Sequence, residues 1–152
     1  MDKFKFDLQC FAGVKTYDPK NIVVIVGTER IHGFSEDDII TVAPSGDGTA
    51  KYVGADGEVG RSIDPDETVE ITITLAQTSA SNDTFSAMHQ LDRATGKGLV
   101  PFVLKDLTGS TLVAASQCWV ANLPEAKKGR QIDTNEWTLY TGKADVFIGG
   151  NE

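Results

Sequence analysis

The stretch TVEITITLAQTSASND, from Thr68 to Asp83, decides the fold class. Its first half alternates apolar residues with a polar set, and the polar set is Thr68, Glu70, Thr72 and Thr74. Period-two alternation predicts a strand with one dry and one wet face. A wet face of threonines and one carboxylate is either ordinary solvated surface or the lining of a space that must stay polar and non-adhesive.

The second half of the stretch changes to helical spacing. Helix-capping residue types from Thr78 to Asp83 precede apolar residues at helical intervals, namely Phe85, Met88 and Leu91. Asp83 suits the positive end of the helix dipole and Arg93 the negative end, while Gly96 and Gly98 supply the stop. One short helix is therefore predicted, with Phe85 and Met88 in the core.

Most of the remaining chain is predicted to form antiparallel strands. Hairpins are expected from Ile22 to Phe34 and from Val100 to Val120, and Asp56-Gly57 predicts a two-residue hairpin turn. Gly142 interrupts the last strand and suggests a bulge or bend. The sequence thus predicts a mainly β protein with one short α-helix, an antiparallel sandwich or barrel with the helix at one side or end.

Composition bounds the function classes. The 152 residues suit one domain, with 40% hydrophobic and 24% charged residues. The net charge of −8 argues against a sequence-independent grip on phosphate backbones, which needs clustered Lys and Arg. No apolar run approaches the roughly 20 residues of a membrane helix, so we expect a soluble protein made in the cytoplasm, with no membrane partner. Cys10 and Cys118 form a poor disulfide framework.

The N-terminus is predicted to be an arm. MDKFKFDLQCFAG lacks the uninterrupted apolar core of an export signal. We expect residues 1–20 to form the arm and residues 21–152 the domain. The aromatic residues of the arm pack either on their own domain or on a neighbouring subunit, and the predicted contact residues are Phe4, Phe6 and Phe11.

No local arrangement of residues predicts catalysis. His32 and His89 have no partner that the sequence supplies, and Cys118 has no cationic neighbour. The acidic segments 36–38 and 64–67 lack the ligand spacing of a calcium loop. We expect no catalytic residues, no metal, no cofactor and no enzymatic activity.

Several motifs in order resemble the tail tube proteins of contractile-tailed bacteriophages. They are GADG followed by Arg61-Ser62, the Thr/Ile strand ending in QTS, the SND helix start, and the tryptophan-containing last strand ending in IGG. The likeness runs from about Ile22 to Gly150, while the arm up to Lys20 departs from it. The resemblance implies a β-sandwich or barrel that assembles into hexameric rings with a continuous inner β-barrel, stacked into a hollow tube.

The resemblance also implies partners and a place. The tube lies in the virion tail, or in a related contractile injection system, within a sheath. It holds a tape-measure protein, meets a baseplate, and lets DNA pass without specific binding. The polar face of Thr68, Glu70, Thr72 and Thr74 then becomes a candidate lumen wall, and the loop around Ser45 and Asp47 a candidate inter-ring contact. The alternatives are a carbohydrate- or receptor-binding virion module displaying Trp119, Trp137 and Tyr140, and a small hydrolase with carboxylates assembled only in the fold.

Overall fold

A computed structural model describes residues 13–151. A short 3-10 turn (Pro19–Asn21) precedes the first strand. The strands and the helix are β1 (Ile22–Val26), β2 (Glu29–Arg30), β3 (Ile40–Pro44), β4 (Thr49–Val53), β5 (Val59–Ile63), β6 (Val69–Ala76), α1 (Ser81–Thr95), β7 (Val100–Asp106), β8 (Leu112–Asn122), β9 (Thr134–Thr141) and β10 (Ala144–Phe147).

Eight of the strands form one antiparallel sheet. Its order is β2-β1-β7-β8-β9-β6-β3, and β10 pairs with β8. The first half of β8 pairs with β10 and its second half with β9, so β9 and β10 follow one another along the same partner strand. The interruption between them falls at Gly142 and Lys143, which confirms the predicted bend.

We call the strand order from β2 to β3 the sheet path. The segment that follows β2 joins the two ends of this path. Ile31 donates its backbone N–H to the carbonyl of Val24 in β1, at 2.8 Å. A few residues later Gly33 accepts a 2.8 Å hydrogen bond from the backbone N–H of Ala76 in β6. The chain therefore crosses from one end of the path to the other, and the sheet curls around a single interior.

The interior is built from one face of the sheet. On β6 it takes the apolar residues of the alternating pattern, each no more than 2% exposed: Val69, Ile71, Ile73 and Leu75. Trp137 and Leu139 of β9 and Phe102 of β7 are buried beside them. Burial of such side chains stabilises by about 1.5 to 3 kcal/mol each, so this face dominates the fold.

Helix α1 packs its first half into this interior. Phe85 is fully buried, and its ring lies 5.3 Å from that of Trp137 at a tilt of 45°. Gly96 ends the helix with a left-handed φ of 71°, as predicted. Met88 is only half-buried and Leu91 is 52% exposed, so the apolar face is narrower than the spacing suggested.

The hairpin of β4 and β5 forms a separate two-stranded sheet. The hairpin itself was predicted, but the prediction of a two-residue turn at Asp56-Gly57 was wrong. Gly57 donates its N–H to the carbonyl of Gly54, so Ala55 and Asp56 are the central residues of the turn. A two-residue turn centred on Asp-Gly needs positive φ at both residues, whereas only Gly57 adopts it, at 91°.

Candidate functional site: the outer face of β3, β6 and β9

The polar residues of the Thr68–Asp83 stretch lie on the side of β6 opposite the core. Glu70 is exposed, and Thr72 and Thr74 are half-buried. Thr68 precedes the strand, and its hydroxyl donates a 2.7 Å hydrogen bond to Asp66 Oδ1. Thr68 thus belongs to the turn entering β6, while the other three belong to the sheet.

The neighbouring strands extend this surface on both sides. Glu70 lies opposite Ala43 of β3 and Tyr140 of β9, and Thr72 opposite Thr41 and Thr138. Thr74 lies opposite Glu136 of β9. Together these eight residues define what we call the polar face: Thr41, Ala43, Glu70, Thr72, Thr74, Glu136, Thr138 and Tyr140.

The charges of the polar face are all negative. Glu70 and Glu136 are its two charged members, and its remaining members are threonines, one alanine and one tyrosine. The cross-strand rows that contain Glu70 and Glu136 lie four residues apart along the strands, about 13 Å. The surface therefore presents hydroxyls and separated carboxylates, with neither a large apolar patch nor a cation.

The loop that leads from β3 into the hairpin carries Ser45 and Asp47. Both are exposed. Ser45 donates its N–H to the carbonyl of Thr68 at 3.0 Å, and Asp47 donates to Asp64 Oδ2 at 2.9 Å. Hydrogen bonds from the backbone N–H groups of Asp47 and Asp66 hold the pKa of Asp64 below its usual range. The loop is therefore fixed by hydrogen bonds despite its glycines. Phe4, Phe6 and Phe11 lie outside the described residues.

Cys118, the one cysteine among residues 13–151, is buried and free. Burial raises the pKa of Cys118 to about 12, so its thiol stays protonated. Between Gly13 and Asn151 no group of three or more His, Cys, Asp or Glu side chains is placed to hold a metal ion. In the same part of the chain no helix is long and apolar enough to cross a bilayer.

The three aromatic residues considered for a binding module are divided between core and surface. Trp137 is 2% exposed and belongs to the interior. Trp119 and Tyr140 lie opposite each other on β8 and β9, half-buried and 42% exposed respectively. Two neighbouring aromatic rings remain for a ligand, rather than a platform of three.

Sequence reasoning found one strand of the polar face and missed the other two. The alternation of Glu136, Thr138 and Tyr140 with buried residues was readable in the sequence, so each could have been placed on a wet face. The adjacency of β3 and β9 to β6 was not readable. It depends on pairings between residues about 30 and 70 positions apart.

Solved structures of contractile injection systems share this fold. The tube-terminating cap of the anti-feeding prophage matches with a TM-score of 0.60 and 15% identity, over 90% of this chain and 94% of that chain. A chain of the sheath-tube complex of an extracellular contractile injection system, in its extended state, matches with a TM-score of 0.58 and 14% identity, over 87% and 91%. The class is therefore that of mainly antiparallel β domains with one helix, which confirms the predicted fold class.

Sequence comparison gives the family. Structural protein ORF10 of Pseudomonas phage KPP10 is 29% identical over 145 residues, which cover 90% of this chain and 84% of that protein. The family model of the bacteriophage PhiTE tail tube protein matches residues 24–149. This chain belongs to the bacteriophage PhiTE tail tube protein family. The predicted role, a structural tail tube protein, is confirmed.

Proposed function

We propose that copies of this chain form hexameric rings that stack into a hollow conduit lined by the polar face. The observation that carries the proposal is the composition of that face across three adjacent strands. Large contiguous apolar patches on an exposed surface mark sites where partners bind, and the apolar part of this face is limited to Ala43 and the ring of Tyr140. A surface of hydroxyls and carboxylates suits a wall along which other molecules must slide.

The sign of the charge supports DNA as the molecule that passes. A cationic wall would make several phosphate contacts, and each contact strengthens binding at low salt through counterion release. Glu70 and Glu136 instead repel the phosphate backbone. DNA is therefore guided through the lumen without specific binding.

The open edge of β3 supports a ring closed by strand pairing. Among the strands of residues 13–151, β3 pairs with β6 alone, which leaves its other edge free. Free edges promote uncontrolled pairing unless they are covered. In the proposed ring this edge pairs with a neighbouring subunit, and the sheets of all subunits merge into one inner β-barrel.

Partners and location follow from the proposed role. One structural neighbour is part of a sheath-tube complex, and we propose a contractile sheath around the tube of this protein as well. The further proposed partners are a tape-measure protein inside the lumen and a baseplate at the end of the tube. The chain acts in the virion tail without enzymatic activity or cofactor, after synthesis in the host cytoplasm.

Negative-stain electron microscopy of the purified full chain, over a concentration series, tests the proposal. We expect rings or cylinders with a central hole, and six-fold symmetry in averaged end views. Compact particles without a hole at every concentration would contradict it. Rings with another symmetry would support the proposed conduit and contradict the proposed hexamer.

A further inference from the structure

A pocket of about 220 Å³ lies between the start of β1, the end of β7 and the start of β3. Its apolar lining comes from Ile22, Leu104, Ile39 and Ile40, and we call it the end pocket. Ile22 and Ile40 pack against the core, yet both are only half-buried, as is Ile39. The end pocket is therefore an opening into the interior that the residues lining it do not close.

The polar groups on the other side of the end pocket are already hydrogen-bonded to one another. The Asn151 amide donates to Asp106 Oδ2 at 2.7 Å, and the N–H of Gly149 donates to Thr111 Oγ1 at 3.1 Å. Thr108 donates to Asp106 Oδ1 from both its N–H and its hydroxyl, at 3.1 Å. A polar ligand would have to compete with these bonds, so the end pocket suits an apolar side chain.

The chain reaches the end pocket from its N-terminal side at Tyr17. Tyr17 lines the pocket but is 59% exposed, and Val14 is 96% exposed. Residues 13–17 are all exposed, so none of them fills the opening. The next large apolar side chain toward the N-terminus is Phe11. An aromatic ring is thus the nearest apolar group along the chain that could occupy the pocket.

The connection between Phe11 and Tyr17 is long enough for the ring to reach. It contains five residues and spans at most about 20 Å when extended. Gly13 lies within it and adopts the backbone angles of a reversal more readily than other residues. A short flexible connection of this kind corresponds to an effective concentration in the millimolar range. Docking within one chain is therefore favoured over docking onto another copy in dilute solution.

We propose that Phe11 inserts its ring into the end pocket of its own chain. The contact removes the ring and the exposed parts of the isoleucines from water, and this apolar burial stabilises it. For Phe11 the proposal selects the first of the two alternatives that the sequence leaves open, packing on its own domain. It goes beyond the proposed tube and does not depend on it, because the contact lies within one chain.

Oxidation of the Ile39→Cys variant tests the contact, because native Cys10 directly precedes Phe11. At low micromolar concentration we expect an intramolecular disulfide, seen as a faster-migrating monomer on a non-reducing gel, and its loss when Cys10→Ser is added. Cys118 is buried and does not compete. Lys97→Cys is the matched control and should form no such disulfide. Lys97 is exposed and precedes the opposite end of β7, a strand about 20 Å long.

Phe11→Ala, added to the Ile39→Cys chain, separates docking from random encounters of a flexible arm. It should slow formation of the disulfide at least tenfold. Val14→Ala, which shortens an exposed apolar side chain of the same segment, should leave the rate within about twofold. Equal rates with and without Phe11 would overturn the proposal. Disulfide-linked dimers in place of the compact monomer would also overturn it, because they would assign the end pocket to the arm of another copy.

Urea unfolding of chains with native cysteines gives a second readout that does not require Ile39→Cys to fold. Phe11→Ala should lower the unfolding midpoint, because the ring no longer covers the end pocket. Val14→Ala should leave the midpoint unchanged. Circular dichroism confirms that each variant is folded before denaturant is added. Equal midpoints for the two variants would contradict the docking of Phe11.

Discussion

The indole Nε1 of Trp137 donates a 2.9 Å hydrogen bond to Oδ1 of Asn82. The Asn82 amide in turn donates to the carbonyls of Ala76 and Ser79, at 3.0 and 2.9 Å. One side chain thus connects the start of α1, the end of β6 and the middle of β9. Because β6 and β9 carry most of the polar face, this contact helps to fix the surface assigned to the lumen.

Replacing Asn82 with Ala should destabilise the fold by about 1 to 3 kcal/mol, because the buried indole N–H loses its acceptor. The midpoint of urea unfolding, followed by tryptophan fluorescence, measures the effect. Asn122→Ala, at the exposed end of β8, is the matched control and should change the midpoint little. Equal midpoints for the two variants would contradict the assigned role of Asn82.

Gly33→Ala should destabilise the fold where the segment after β2 pairs with β6. Gly33 has a φ of 74°, and an added Cβ would lie 2.5 Å from the hydroxyl oxygen of Ser79. A non-glycine residue in this conformation costs of order 1 to 3 kcal/mol before the clash is counted. Thermal unfolding of Gly33→Ala and of Gly129→Ala measures it, since an added Cβ at Gly129 meets nothing within 4 Å. A loss of stability at Gly129 as large as that at Gly33 would contradict this explanation.

Elements whose cause is local were predictable from the sequence. The alternation of β6 and the Gly96 stop of α1 act within a few residues, and both are found as predicted. The Asp56-Gly57 turn failed because the chain places Ala55 and Asp56 at the turn centre, leaving the positive φ to Gly57 alone. The residue type shows that Gly57 tolerates a positive φ, but it does not show which position of the turn Gly57 occupies.

The candidate site was only partly predictable, for a physical reason. Alternation tells which residues of β6 share a face, but the neighbours of that face come from strand pairing between distant segments. The same limit hid the groove between Phe34 and Ile132, which lie almost 100 residues apart in the chain. Local sequence patterns show which residues of one strand share a face, whereas the pairing of distant strands determines which residues form a surface together.

Asp106 should make the stability depend on acid pH. Burial alone raises the pKa of Asp106, but hydrogen bonds from the Asn151 amide and from the N–H and hydroxyl of Thr108 outweigh it and hold the pKa below the usual 3.8. A depressed folded-state pKa contributes stability above the unfolded pKa, and this contribution is lost as the pH falls through the folded pKa. Stability should therefore fall below about pH 4.

Asp106→Asn is the variant that tests this. It should be less stable than the unchanged chain at pH 7, and its urea midpoint should fall less between pH 7 and pH 3, because the linked carboxylate is gone. Asp145→Asn, at an exposed position of β10, is the control and should keep the original pH dependence. An Asp106→Asn profile parallel to that of the unchanged chain would show that the acid sensitivity arises elsewhere.

Glu70→Lys tests the assignment of the polar face to the lumen. Glu70 is exposed on the face of β6 opposite the core, so the variant should fold and assemble into normal tubes. A lysine there puts a cation at the same height in every subunit of a ring, and these cations would hold passing DNA through phosphate contacts. We expect the titre of phage assembled with this variant to fall at least tenfold, with normal particles in electron micrographs. Glu29→Lys, on β2 at the other end of the sheet path, is the matched control and should leave the titre unchanged. Normal tubes with a normal titre would place Glu70 outside the lumen.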